Sequence, residues 1–117
     1  MGSRWFSVVV DAQDPPRLAR WWAEVLGFKV WQDGEEVWIA RDDSSYPGLL
    51  FVPVPERKAT KNRLHFDLNP DEQEAEVERL VDMGARRVDV GQGEAVSWVV
   101  LADPEGNEFC VLRARQQ

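Results

Sequence analysis

The sequence is poor in cysteine and histidine, the residue types that most often mark a chemical site, with one of each among 117 residues. A single cysteine, Cys110, excludes an internal disulfide and is consistent with a reducing, cytoplasmic environment. No apolar run is long enough to cross a bilayer, and no cationic stretch followed by an apolar one indicates a secretory signal. Acidic residues outnumber basic ones, 21 to 14. The net charge of −7 argues against nucleic acid and anionic membranes as partners.

Tryptophan, by contrast, is abundant. Six indoles exceed what the core of one small domain usually needs, and they predict an aromatic pocket or interface. The length suits a single domain. The apolar share of 44% and the charged share of 30% are typical of a soluble globular protein.

The first half of the chain reads as a strand, a helix and three more strands. Residues 5–10 form a short run rich in β-branched side chains, which predicts the first strand. Asp14-Pro15-Pro16 predicts a capped helix start, and Gly27 stands just past an apolar stripe of helical period. Further strands are predicted over residues 28–32, 37–40 and 49–54.

The second half repeats this order after a polar linker, residues 56–62. Alternation over residues 63–68 predicts a strand that carries His65 and Asp67 on one face. Asn69-Pro70 predicts the start of a second helix by the same logic of cap and proline. The remaining predicted elements are strands at 86–90 and 97–101, a turn at 91–94, and a last strand from Glu108.

The two halves match position by position. Asp11 precedes the first helix as Asp67 precedes the second, and Gly48-Leu49-Leu50-Phe51 matches Gly106-Asn107-Glu108-Phe109. An internal repeat means that each unit is one supersecondary structure. The predicted class is therefore α+β, with two βαβββ modules in one domain, residues 1–117. Module 1 spans about residues 4–55 and module 2 about 63–114.

The repeat and two segments resemble a known family. The segments are Ala19-Arg20-Trp21-Trp22-Ala23-Glu24-Val25-Leu26-Gly27 and Asp103-Pro104-Glu105-Gly106-Asn107-Glu108-Phe109. Over nearly its whole length the chain resembles the vicinal oxygen chelate superfamily of glyoxalase I, bleomycin-resistance proteins and extradiol dioxygenases. It looks most like the short glyoxalase-like proteins of actinobacteria. The resemblance implies an open, U-shaped, barrel-like sheet of eight strands with flanking helices and the site inside the sheet.

The resemblance also implies where a metal would bind. Metal-dependent members place ligands on the first and last strands of each module, which match His65 and Glu108 here. Through the repeat, the first-half counterparts are Val9 and Leu50. Neither can bind a metal, whereas a functional site needs three or four ligands. We therefore favour no metal and no other cofactor. A divalent metal held by His65 and Glu108 is the alternative.

The apolar and aromatic residues favour a binding role. An apolar cleft with two polar groups suits a flat hydrophobic or aromatic small molecule. By resemblance to drug-sequestering members of the superfamily, this role extends to antibiotic sequestration and resistance. Some of these side chains, above all that of Cys110, are more simply interpreted as core residues. The predicted ligand-binding residues are Trp5, Ser7, Val9, Trp31, Trp38, Leu50, Val52, His65, Trp98, Glu108 and Cys110.

The competing hypothesis is a small enzyme. A lyase, isomerase or dioxygenase of the glyoxalase type would use His65 and Glu108, with or without a divalent metal, because an inward carboxylate beside a histidine suits acid–base work. Under either hypothesis a homodimer is expected. Small paired-module proteins of this superfamily commonly form dimers, and Pro53 suggests a strand edge or a strand end.

Overall fold

The computed structural model describes residues 2–89 and 96–115. The chain divides into two compact units, Met1–Arg57 and Lys58–Gln117. In each unit the described elements follow the order strand, helix, strand, strand, strand. The α+β class and the paired βαβββ repeat predicted from the sequence are confirmed. Neither helix in these ranges has the length and apolar content needed to cross a membrane.

Unit 1 contains a four-stranded sheet, sheet 1, and one helix. Its elements are β1 (Ser7–Ala12), α1 (Pro15–Leu26), β2 (Lys29–Asp33), β3 (Val37–Ala40) and β4 (Gly48–Pro53). The strand order is β1-β4-β3-β2, with β1 parallel to β4 and the other pairs antiparallel. The predicted β3 has the observed ends, whereas the other strands shift by one or two residues. Pro53 ends an interior strand and does not lie on an edge.

Helix α1 begins and ends as its sequence predicts. The Asp14 side chain accepts a hydrogen bond from the Arg17 N–H at 3.3 Å, and two prolines occupy the first turn, where N–H groups lack intrahelical partners. Gly27 ends the helix at a φ of 69°, a left-handed conformation that glycine adopts without strain. The buried stripe consists of Pro15, Leu18, Ala19, Trp21, Trp22 and Ala23.

Unit 2 repeats the topology in sheet 2. Its elements are β5 (Asp67–Leu68), α2 (Gln73–Asp82), β6 (Arg86–Arg87), β7 (Val99–Ala102) and β8 (Glu108–Val111). The order β5-β8-β7-β6 reproduces that of sheet 1, again with the first and last strands parallel. The predicted turn at 91–94 and the end of the strand predicted at 86–90 lie outside the described residues.

Two predictions for unit 2 are wrong in detail. The strand predicted at 63–68 is reduced to Asp67–Leu68, and the Asn62 N–H that precedes this stretch donates to the Glu108 side chain. Helix α2 begins after Glu72, whose carboxylate accepts from the Ala75 N–H at 3.0 Å. Asn69, the predicted cap, instead accepts a hydrogen bond from the Arg115 N–H at 3.1 Å.

The register gives each sheet two distinct faces. In sheet 1 the buried Ile39, Leu49 and Phe51 alternate with less buried residues, and α1 packs on β3 and β4. In sheet 2 the buried Phe109 and Val111 lie on β8, which α2 contacts. We call the opposite side of each sheet, away from its helix, the far face. It carries the side chains of the odd-numbered residues of β1 and the even-numbered residues of β3, β4 and β8.

Candidate functional site

The far face of sheet 1 carries a continuous apolar row. Val9 pairs with Leu50, and Leu50 pairs with Trp38 on the next strand. Cross-strand partners on one face lie close enough for their side chains to touch. The pairs Ser7–Gly48 and Asp11–Val52 flank the row on either side. Sheet 1 thus brings together five of the predicted ligand-binding residues, namely Ser7, Val9, Trp38, Leu50 and Val52.

Two aromatic rings extend this row beyond Trp38. The Phe6 ring stacks on Trp38 with centroids 5.6 Å apart and on Tyr46 at 5.2 Å, and Trp38 lies 6.3 Å from Tyr46. We call Phe6, Trp38 and Tyr46 the aromatic cluster. Phe6 is 64% exposed, Tyr46 55% and the adjoining Val9 53%. The sheet therefore presents accessible apolar and aromatic surface where a globular protein usually has polar side chains.

A glycine makes room for the aromatic cluster. A Cβ atom on Gly48 would lie 2.4 Å from Cζ2 of Trp38, closer than carbon atoms approach without displacement. The indole therefore lies across β4 at the one residue without a side chain. Gly48 is needed for this close approach.

Sequence reasoning missed Phe6 and Tyr46 as parts of the site. The sequence predicted Phe6 as part of the first strand, but β1 begins at Ser7, so Phe6 lies just before the strand. Tyr46 is the only tyrosine of the chain, and it interrupts a polar loop just before Gly48. An isolated aromatic residue in a polar loop was the available signal.

The other predicted indoles lie elsewhere. Trp5 is exposed, and its Nε1–H donates to the Ser7 carbonyl at 3.2 Å. Trp31 lies on β2 at a register shift, and its Nε1–H donates to the Ala40 carbonyl at 3.2 Å. Trp98 is an exposed residue just before β7 in unit 2. A ligand-binding role for these three indoles stays a prediction.

Sheet 2 presents charge on its far face. Glu108 begins β8, and Lys58 Nζ lies 2.8 Å from its Oε2, while the Asn62 N–H donates to its Oε1 at 2.9 Å. The Glu108 and Lys58 side chains are each 17% exposed. Burial alone would raise the pKa of Glu108. The hydrogen bonds from Lys58 and Asn62 outweigh burial and hold the pKa below its ordinary value. Glu108 is therefore ionised at neutral pH.

His65 and Cys110 meet at Asp67. His65 Nε2 lies 3.1 Å from Asp67 Oδ1, and Asp67 is the cross-strand partner of Cys110. Burial raises the pKa of the Cys110 thiol, and the charge and hydrogen bond of Asp67 raise it further. Cys110 is therefore protonated at neutral pH in the metal-free protein. The structure thus gives His65 and Glu108 separate partners, Asp67 and Lys58.

Two repeated βαβββ units with a shared strand order define a glyoxalase-type α+β fold. The chain belongs to the glyoxalase-like domain family, whose model matches residues 7–112. No curated protein matches it.

Solved structures of several activities are similar in fold. A glyoxalase/bleomycin resistance protein/dioxygenase family enzyme from Burkholderia phytofirmans is 20% identical, with 90% of this chain and 94% of that chain covered and a TM-score of 0.66. Glyoxalase I from Leishmania major is 18% identical (96% and 87% covered, TM-score 0.69). A bleomycin resistance determinant encoded on the transposon Tn5 is 16% identical (97% and 100% covered, TM-score 0.61). At these identities the likeness concerns the fold alone.

The divalent metal of the superfamily does not fit the residues at its four positions in this chain. Val9 and Leu50 are cross-strand partners, and both have hydrocarbon side chains. Glu108 is already bound by a lysine and a backbone N–H. Of the four positions, only His65 still offers a metal ligand. A catalytic metal site needs three protein ligands.

Replacing Lys58 by methionine is expected to destabilise the protein by about 1–3 kcal/mol at neutral pH, because ionised Glu108 loses its cation. Folding lowers the pKa of Glu108 from its ordinary value of 4.5. The stability that Glu108 contributes is therefore present above this value and is lost as the pH falls through the folded pKa. Urea unfolding at stepped pH should show the difference between parent and Lys58→Met shrinking as the pH falls below 4.5.

Lys61→Met is the matched control, since it removes a cation from the same segment. An equal loss of stability in both variants would contradict the specific role of Lys58. So would a difference between parent and Lys58→Met that stays constant with pH.

Proposed function

We propose that this protein binds a flat hydrophobic or aromatic small molecule on the far face of sheet 1. The observation that carries the proposal is the apolar row Val9–Leu50–Trp38 continued by stacked, exposed rings. Aromatic rings stack face to face with an offset and so favour planar partners. A planar ligand would extend the stack that Phe6 and Tyr46 begin.

The apolar row stands where metal-dependent relatives place two ligands. At these two positions Val9 and Leu50 have hydrocarbon side chains in place of metal ligands. They cannot bind a metal, but they add apolar contact area for a small molecule. Drug sequestration, antibiotics included, is the biological role that we propose. It needs affinity and no reaction.

The enzyme hypothesis has less support from the geometry. General acid–base work by Glu108 needs a carboxyl group whose proton can be exchanged with a substrate near neutral pH. Here Lys58 and Asn62 hold Glu108 as an ion with a lowered pKa.

Tryptophan fluorescence quenching and calorimetry with a panel of polycyclic aromatic natural products, bleomycin included, test the proposal. Val9→Asp places a carboxylate at the β1 end of the apolar row. We expect it to weaken binding by about tenfold or more, because the ligand would bury an unpaired charge. The matched control is Val81→Asp, the same change at an exposed valine on α2. It should bind as the parent does.

The proposal fails if no member of the panel binds, or if Val9→Asp binds as tightly as Val81→Asp. The far face of sheet 1 would also suit a second copy of the chain, in line with the expected homodimer. Sedimentation of parent and Val9→Asp identifies that outcome. A dimer that Val9→Asp dissociates, without binding by any panel member, would replace the ligand proposal with a dimer interface.

A further inference from the structure

Unit 2 brings three different metal-binding donors together on its far face. One ligand atom each from His65, Asp67 and Cys110 lies within 4.8 Å of the other two. The set combines an imidazole nitrogen, a carboxylate oxygen and a thiol sulfur. In residues 2–89 and 96–115 it is the one group of three such side chains close enough to share an ion.

The backbone holds the donors in place. Asp67 and Cys110 are direct partners in the parallel pair β5–β8. The Cys110 N–H donates to the carbonyl of Phe66, the residue between His65 and Asp67, at 2.9 Å. This hydrogen bond fixes the register of β5 against β8. His65 and Asp67 are two residues apart and their side chains touch at 3.1 Å. Paired strands hold ligands more firmly than loops do, and two of the three donors lie on such a pair, while His65 lies two residues before β5.

Solvent reaches this group from one side. His65 and Asp67 are exposed, whereas Cys110 is buried. An ion could therefore enter from solvent past His65 and Asp67 and bind the buried Sγ of Cys110. Nitrogen, sulfur and oxygen donors together favour zinc-type ions over magnesium or calcium, which take oxygen donors alone.

We propose that His65, Asp67 and Cys110 bind one divalent transition-metal ion, with zinc as the preferred class and a fourth position open to solvent. This site differs from the position implied by the superfamily. It shares His65 with that position but takes its other ligands two residues further along, at Asp67 and Cys110, while Glu108 stays bound to Lys58. The first repeat has no counterpart, since its equivalent residues are Val9, Asp11 and Val52. Its three residues all belong to unit 2, whereas the aromatic surface that we propose for ligand binding is built from unit 1.

Cobalt titration of the chelator-treated full chain under reducing conditions tests the site. Cys110 is the only cysteine of the chain, so a thiolate-to-cobalt charge-transfer band reports on this site alone. We expect one equivalent of Co²⁺ to produce that band together with the visible bands of a four-coordinate ion, and Zn²⁺ to abolish both. His65→Ala and Asp67→Asn should each weaken binding by about tenfold or more. Cys110→Ser should remove the charge-transfer band.

Two controls make the result specific. Asp11→Asn changes the equivalent aspartate of the first repeat and should bind Co²⁺ as the parent does. Glu108→Gln should also bind normally, whereas loss of binding in Glu108→Gln would place the ion at the superfamily position and overturn the proposal. The proposal also fails if saturating Co²⁺ gives no charge-transfer band, or if His65→Ala and Asp67→Asn bind like the parent. Both positions are exposed, so these variants remain informative if Cys110→Ser does not fold.

Discussion

Replacing Asp103 by alanine is expected to destabilise the protein by about 3 kcal/mol, because it removes the buried carboxylate that accepts the hydrogen bonds of the β7–β8 turn. Asp103 is only 1% exposed. Its Oδ1 accepts from the Glu105 N–H at 2.9 Å and from the Asn107 N–H at 3.0 Å. Its Oδ2 accepts from Asn107 Nδ2 at 3.0 Å. Without the buried carboxylate, the Glu105 and Asn107 N–H groups of the β7–β8 turn lose this acceptor.

Asp42 provides the matched control for this measurement. Its carboxylate also accepts from nearby N–H and hydroxyl groups, those of Ser44 and Ser45, but it lies in an exposed loop where water can replace them. Asp42→Ala should therefore cause a smaller loss than Asp103→Ala. Asp103→Asn keeps one oxygen and should fall between parent and Asp103→Ala. Equal losses of stability for Asp42→Ala and Asp103→Ala in urea unfolding would show that burial of the Asp103 carboxylate does not increase the cost of removing it.

The fold could be predicted because its determinants are local and repeated. Alternating apolar residues, a capped helix start and glycine at a helix end act over a few residues, and helix α1 begins and ends where the sequence predicts. The repeat aligned the two halves: Asp11 matches Asp67, and the match of Gly48 with Gly106 implies that Val52 matches Cys110. The observed pairs Asp11–Val52 and Asp67–Cys110 are consistent with it.

The partners of the charged residues could not be predicted because they depend on distant parts of the chain. Lys58 is 50 residues from Glu108, and Asn62 is 46 residues from it. The segment that holds both looked like a solvated linker, since nothing local distinguishes a lysine that pairs from one that does not. The same reason explains Asn69, whose partner is 46 residues away at Arg115.

The candidate site was partly predictable for the same physical reason. The row Val9–Leu50–Trp38 follows from strand alternation and the repeat. The stacking of Phe6 and Tyr46 on Trp38 depends instead on how the segments flanking β1 and β4 cross the sheet. Periodicity does not specify that path, so the aromatic cluster became visible only in the structure.

Replacing either of two equivalent phenylalanines by alanine is expected to cost about 3–5 kcal/mol, because each removal leaves a cavity in a packed core. Phe51 is 0% exposed and Phe109 1% exposed, and they occupy matching positions on β4 and β8. Unit 1 contains five of the six tryptophans, at positions 5, 21, 22, 31 and 38. Urea unfolding followed by fluorescence therefore reports chiefly on Phe51→Ala, and circular dichroism is the better probe for Phe109→Ala.

Phe6→Ala is the control, since it makes the same change at an exposed ring outside the core. It should lose only the stacking energy, about 0.5–1.5 kcal/mol. Phe51→Leu and Phe109→Leu keep most of the buried volume and should be less destabilising than the alanine variants. If Phe51→Ala or Phe109→Ala loses no more stability than Phe6→Ala, that residue does not anchor the core of its unit. Equal, large losses at both sites would show that the two repeats depend on their cores in the same way, although their far faces have diverged into an aromatic surface and a charged one.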